Sequence, residues 1–227
     1  MTDNRSLSEK LGVEIDPELL ALALTHTSWA YENGGPHNER LEFLGDTILG
    51  QAITIELFRR FPELDEGELS RRRAGVVSGF ALAEVARGIG LGDFIRLGKG
   101  EMMTGGSDRE SILADTMEAI FGAAYLSAGH EEAEALVLRL VGPLLEDTER
   151  FGAALDPKTS LQELVDRLRK GAPVYAVEAE GPDHARRFAA TVQIDGVELA
   201  KGEGSSKRQA EMAAALEAWK RLRASNA

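Results

Sequence analysis

Three acids, Glu39, Glu42 and Asp46, stand three and four residues apart in the segment from Pro36 to Thr47, PHNERLEFLGDT. On an α-helix that spacing puts all three carboxylates on one face. Leu41, Leu44, Ile48 and Leu49 fall in another sector, where they can be buried. Each like-charged pair at this spacing destabilises a helix by a few tenths of a kcal/mol, so about that much repulsion per pair has to be met by something positive. A divalent cation is the obvious counter-charge. A second pair, Asp115 and Glu118, lies one turn apart inside an apolar helical stretch, Ile112 to Leu126, with Ala114, Ala119, Phe121, Ala123 and Ala124 for packing.

Composition limits the kind of cation. The 227 residues contain no cysteine, so thiolate ligands and disulfides are excluded. His26, His37, His130 and His184 are scattered without a paired spacing. Oxygen ligands therefore dominate, which favours magnesium, manganese or calcium over zinc. The N-terminus shows no apolar signal core and no run is long enough to span a bilayer, so a cytoplasmic location with no membrane partner is the expectation. The formal net charge of −12 is unevenly shared. Residues 156–227 hold 12 Lys and Arg against 11 Asp and Glu; residues 1–155 hold 14 against 27. Two domains with different tasks are expected.

The N-terminal half reads as all-helical. Asp16-Pro17 starts a helix, as cap and first-turn proline. Thr25-His26-Thr27-Ser28 follows, with His26 read as a buried, hydrogen-bonded residue. Asn33 to Pro36 is a turn, and the acidic helix then runs to about Phe61, where Pro62 ends it. Asp65 to Glu68 reads as a loop before a helix opening at Leu69. Arg71, Arg72 and Arg73 on it face either phosphate or solvent. Gly88 to Gly106 reads as loops around a short apolar piece, Ser107 or Asp108 as the next cap, and His130 to Leu145 as the last helix of the half.

Beyond about Glu149 a short linker is expected, and the pattern then changes. Thr159 to Leu168 is amphipathic. Tyr175, Val177 and Ala179 alternate with acids, as do Phe188, Ala190, Val192 and Ile194 with polar residues. Asp195-Gly196 is a strong hairpin signal. Residues 206–223 form a helix. The order is α-β-β-β-α.

The segment PHNERLEFLGDT, together with Asp115-Thr116-Met117-Glu118 and this C-terminal order, resembles the bacterial ribonuclease III family across nearly the whole chain. The resemblance implies an all-α N-terminal endonuclease domain at 1–150, a linker at 151–157 and an α+β double-stranded-RNA-binding domain at 158–227. By that match Glu42, Asp46, Asp115 and Glu118 are the catalytic, metal-binding quartet, holding Mg2+ or, in its place, Mn2+. Glu39 and Glu66 are supporting acids. Phe43 stands at a homodimer interface, although the residue alone also reads as a core aromatic. The implied reaction is hydrolysis of double-stranded RNA, leaving 5′-phosphate and 3′-hydroxyl ends with short 3′ overhangs, in processing of ribosomal RNA precursors and messenger RNA.

In the C-terminal domain the match assigns Thr159, Gln162 and Glu163 to one minor groove and His184 to the next, reading 2′-hydroxyls and A-form shape. Arg186 and Arg187 assist. Gly202 to Arg208 reads as a glycine loop entering a helix, where N–H groups, the helix dipole, Lys207 and Arg208 clamp phosphate. Many such domains have another basic residue where this chain has Glu211. Two rivals remain: a duplex-binding protein without catalysis, and a metal phosphohydrolase of small substrates. Retention of all four acids opposes the first, and the C-terminal module opposes the second.

Overall fold

The computed structural model describes residues 4–180 and 186–226 and divides into two units, Met1–Thr148 and Glu149–Ala227. The first holds α1 (Asn4–Leu11), α2 (Pro17–Ala23), α3 (Thr27–Asn33), α4 (Glu39–Arg60), α5 (Glu66–Val76), α6 (Gly79–Ile89), α7 (Lys99–Met103), α8 (Glu110–Ala128) and α9 (His130–Leu140). Local chemistry sets many of these ends. Asp16 accepts from the N–H groups of Glu18 and Leu19, with Pro17 in the first turn of α2. Ser78 caps α6, and Gly90 closes it in the left-handed region at φ 69°.

The structure departs from the sequence expectations at several ends. Asp65 is a cap, accepting from Glu68 N–H at 2.9 Å, so α5 opens at Glu66 rather than Leu69. Neither Ser107 nor Asp108 caps α8; both lie in a 3-10 turn, and Asp108 accepts from Arg87 Nε at 2.6 Å. The glycine-rich stretch contains the end of α6 and the short α7. Helix α9 stops at Leu140, and Gly142–Asp147 continues as 3-10 turns around Pro143.

Helix α8 is the centre of this unit. Ile112, Leu113, Ala114, Thr116, Met117 and every residue from Ala119 to Ala124 are buried. A helix apolar on nearly all sides has to be surrounded, and α2, α4, α6 and α9 pack around it. Its closest neighbour is α4, which contributes Leu41, Ile48, Leu49, Ala52, Ile53 and Leu57. Leu44 is half-buried. Two glycines let the backbones approach: a Cβ on Gly45 would lie 1.7 Å from the Glu118 carbonyl oxygen, and one on Gly122 would lie 2.3 Å from that of Leu41.

In the second unit, α10 (Thr148–Leu155) precedes α11 (Pro157–Arg167), β1 (Val174–Glu180), β2 (Arg187–Ile194), β3 (Val197–Gly204) and α12 (Lys207–Ser225). The segment expected as a linker is thus largely helical, with Phe151 and Ala153 buried. The strands form an antiparallel sheet in the order β1-β2-β3. Asp195 and Gly196 both have positive φ, 54° and 76°, as the tight hairpin requires. Val192, Ala190 and Ala200 from the sheet pack with Leu161 and Val165 of α11 and Ala210, Ala214, Ala218 and Trp219 of α12.

Gly202 and Gly204 lie in β3, not in a loop. A Cβ on Gly202 would lie 2.1 Å from Ala214 N, so the residue serves close strand–helix packing. Only Ser205 and Ser206 separate β3 from α12.

Gly45→Ala forces the α4 and α8 backbones apart. The expected loss is about 3 kcal/mol or more, the upper range for overpacking a core. A thermal melt of the variant beside Gly50→Ala on the same helix, where an added Cβ meets nothing within 4 Å, checks this.

Candidate metal-binding and RNA-contacting sites

The Gly45–Gly122 crossing positions the acids. Glu42 and Asp46 flank Gly45 on α4, and Asp115 and Glu118 lie about two turns and one turn before Gly122 on α8. Glu118, Glu42 and Asp115 are half-buried; Asp46 and Glu39 are exposed. On α8 these two carboxylates are half-buried among fully buried neighbours.

Burial and mutual charge perturb the acids of both helices. Burial pushes the Glu118 carboxyl up to about 7, and the charges of Asp46, Asp115 and Glu42 add to the shift. Glu42 is raised by burial, then by Asp115, Glu39 and Asp46. Asp115 is raised by burial and further by Glu39, while His26 acts in the opposite direction. Like charges near partly desolvated groups disfavour ionisation, so Glu118, Glu42 and Asp115 are less acidic than when alone. The charge of Asp46 thus reaches Glu118, far from it in sequence.

Glu39 belongs to this group by its charge and also lies 3.7 Å from His37 Nδ1. Glu66 does not contribute to these shifts. It is exposed at the start of α5, accepts from Ser70 Oγ at 2.8 Å, and lines a separate groove of about 480 Å³ with Phe58, Leu69 and Arg73. A second groove, of about 600 Å³, runs beside Asp46 along α4 and includes Thr47, Thr54 and Arg73. Arg73 donates to Thr54 Oγ1 at 3.1 Å. Arg72 is held by Glu68 at 3.0 Å and sits over the Phe61 ring, so the arginine run divides between groove and packing.

His26 is the N-cap of α3, its Nδ1 accepting from Ser28 N–H at 3.2 Å. Burial lowers its pKa against the pull of Glu101, Asp115 and Glu39. Its nearness to Asp115 had no signal in the sequence, because the two are joined only by tertiary packing.

Among the described residues, no three acidic or imidazole groups are drawn together tightly enough to form a ready-made metal cage. The donor set nonetheless fits a hard divalent ion. It is all oxygen, Glu42, Asp115 and Glu118 each sense the charge of another acid, and magnesium keeps most of its own waters and needs few direct ligands.

Phe43, on α4 within the acidic segment, is 80 % exposed and so is not a core residue. In the second unit Thr159 and Glu163 are exposed on α11, and Gln162 donates to Asp166 Oδ1 at 2.9 Å. Lys207 and Arg208 are exposed in the first turn of α12, which Ser206 caps by accepting from Gln209 N–H. Arg187 is exposed at the start of β2 and Arg186 just before it. His184 lies outside the described residues.

Residues 16–144 match the Ribonuclease-III-like family model, and residues 157–222 match the double-stranded RNA binding motif. The chain belongs to the ribonuclease III family. It is 66% identical to Ribonuclease 3 of Leifsonia xyli over 97% of this chain and 94% of that one. Ribonuclease 3 of Thermobifida fusca is 54% identical, covering 97% and 92%. The solved nuclease domain of ribonuclease III from Campylobacter jejuni, 41% identical, superposes with a TM-score of 0.59 over 63% of this chain and 96% of its own length. Another structure of that Campylobacter domain, 40% identical with a TM-score of 0.59, concerns flexibility in a region involved in dimer formation; it covers 62% of this chain and 97% of its own. Family membership makes this chain a double-stranded-RNA endoribonuclease, with a helical nuclease domain followed by an α-β-β-β-α RNA-binding domain. Among the described residues no helix is long and apolar enough to cross a membrane.

The raised Glu118 pKa gives a pH test. The folded state holds that proton up to about pH 7, whereas an unfolded glutamate releases it near its ordinary value of 4.5. Stability from the protonated form is complete below 4.5 and is lost as pH rises through 7. In EDTA, Glu118→Gln removes that loss, so its melting temperature should exceed the parent's by more at pH 8 than at pH 5.

Proposed function

We propose that residues 1–150 cut and residues 158–227 bind the duplex, and that Glu42, Asp46, Asp115 and Glu118 hold Mg2+, with Mn2+ able to replace it. The observation that carries this is the close approach of α4 to α8 where Gly45, flanked by Glu42 and Asp46, meets the backbone of Glu118. When bound, a divalent ion supplies an activated water near neutral pH and offsets charge on the leaving 3′ oxygen. The protein's own part is to keep four carboxylates at one partly desolvated spot. Glu118, raised to about 7, becomes fully anionic only when a cation or higher pH removes its proton, so cation affinity weakens on acidification. Glu39 tunes the group by charge. Glu66, apart from the quartet within this chain, is assigned a supporting role only.

The same reading makes the enzyme a homodimer. Phe43 and Phe58 are 80 % and 71 % exposed, and their spacing on α4, with Thr47 and Thr54 also exposed between them, forms one uncovered helix face. Large exposed aromatics on one face are the mark of an interaction surface. Two sites on one duplex, each cutting one strand, would leave 5′-phosphate and 3′-hydroxyl ends with short 3′ overhangs. Thr159, Gln162 and Glu163 would read the minor groove, His184 the next, and Lys207 and Arg208 the intervening phosphates. Processing of ribosomal RNA precursors and of messenger RNA, in the cytoplasm, is the cellular role that follows from that activity.

Glu118→Ala should abolish magnesium-dependent cutting of a labelled duplex while gel-shift affinity in EDTA stays at the parent level. Cutting at the parent rate would remove Glu118 from the metal group. Phe43→Asp should convert the protein to a monomer by sedimentation; an unchanged dimer would place the interface elsewhere.

A further inference from the structure

Lys158, Glu211 and Tyr175 form a cluster in the second unit. Lys158 Nζ lies 2.7 Å from Glu211 Oε2 and 4.6 Å from the centroid of the Tyr175 ring. Lys158 is in the first turn of α11, Glu211 in the second turn of α12 and Tyr175 in β1, so three elements meet there. The Tyr175 hydroxyl is buried without a hydrogen-bond partner. Burial first and Glu211 second push its pKa up to about 12, so the ring stays neutral beneath the ammonium.

Glu211 follows Lys207 by four residues and Arg208 by three. On a helix those spacings make it the neighbour of both cations. An unengaged carboxylate there would bridge to one of them and cancel a charge meant for the duplex. In the structure the carboxylate goes to Lys158 instead. Lys207 and Arg208 are exposed, and among the described residues neither is paired with an acid. The Lys158 and Glu211 side chains are 42% and 25% exposed, a solvent-shared pair that contributes little to folding. Its consequence is the routing of charge.

We propose that Lys158 is a positioning residue for RNA binding: by holding Glu211 against Tyr175 it leaves Lys207 and Arg208 available to phosphate, without touching the duplex itself. This rests on the reading of Lys207 and Arg208 as the phosphate clamp.

Binding of the full chain to a labelled duplex RNA in EDTA, across a series of salt concentrations, tests it. Lys158→Met should weaken binding about three- to fivefold, the most one partly exposed ion pair can transmit. It should also flatten the slope of log affinity against log salt by about 0.9, one phosphate contact. Lys158→Met with Glu211→Gln should return both quantities to the parent values, because no carboxylate is left to capture Lys207 or Arg208. Lys158→Arg, which keeps the pair, should bind like the parent. A double variant as weak as Lys158→Met would mean that Lys158 contacts RNA directly, and parent-like binding by Lys158→Met would remove its role; either overturns the inference. Lys207→Ala with Arg208→Ala separates the premise: weakened binding with a flatter slope upholds the clamp, whereas parent-like binding overturns clamp and inference together. Thermal melts of each variant show that the fold is retained.

Discussion

The approach of α4 to α8 at Gly45 and Gly122 is the constraint on which the nuclease domain depends. Each glycine admits the backbone of the opposite helix, where any side chain would collide with a carbonyl oxygen. Because the acids lie within two turns of these glycines, bringing the axes together also brings two sets of carboxylates into one space. The buried surface of α8 stabilises this crossing, and that packing offsets the repulsion of gathering like charges. The perturbed acidity of Glu118, Glu42 and Asp115 is the electrostatic trace of the same crossing.

The RNA-binding domain solves a different problem. It needs positive charge in an acidic protein, on a small scaffold. Close packing comes from small residues: Ala210, Ala214 and Ala218 on α12 against a sheet whose Gly202 and Gly204 allow near contact. The exposed ends of α11 and α12 are then free to carry polar groups. Net charge matters less here than which acid each cation faces, since a surface lysine beside a glutamate is a poor phosphate ligand.

Most helices and all three strands were legible because their signals are local. Asp16-Pro17, the proline after Phe61, the alternation in β1 and β2 and the Asp195-Gly196 turn each act within a few residues. The errors came where a local signal had two uses. Asp65 looked like part of a loop and is a cap; Asp108 looked like a cap and pairs with Arg87. Gly202 and Gly204 looked like a flexible approach to phosphate and are strand residues pressed against α12. Residues 151–157 read as a linker, yet Phe151 and Ala153 are buried, a fact that depends on what packs over them.

For the acidic site, the sequence alone determined which residues share a helix face, because a period of 3.6 residues relates Glu39, Glu42 and Asp46, and separately Asp115 and Glu118. It determined that any metal would meet oxygen, through the absence of cysteine and the scatter of histidine. Only the tertiary structure decided that the two faces meet, that Glu39 joins them while Glu66 stands apart, that Phe43 is uncovered, and that Glu211 turns to Lys158. Those outcomes depend on which surfaces touch across long stretches of chain, and helical periodicity carries no information about a partner that lies outside the helix.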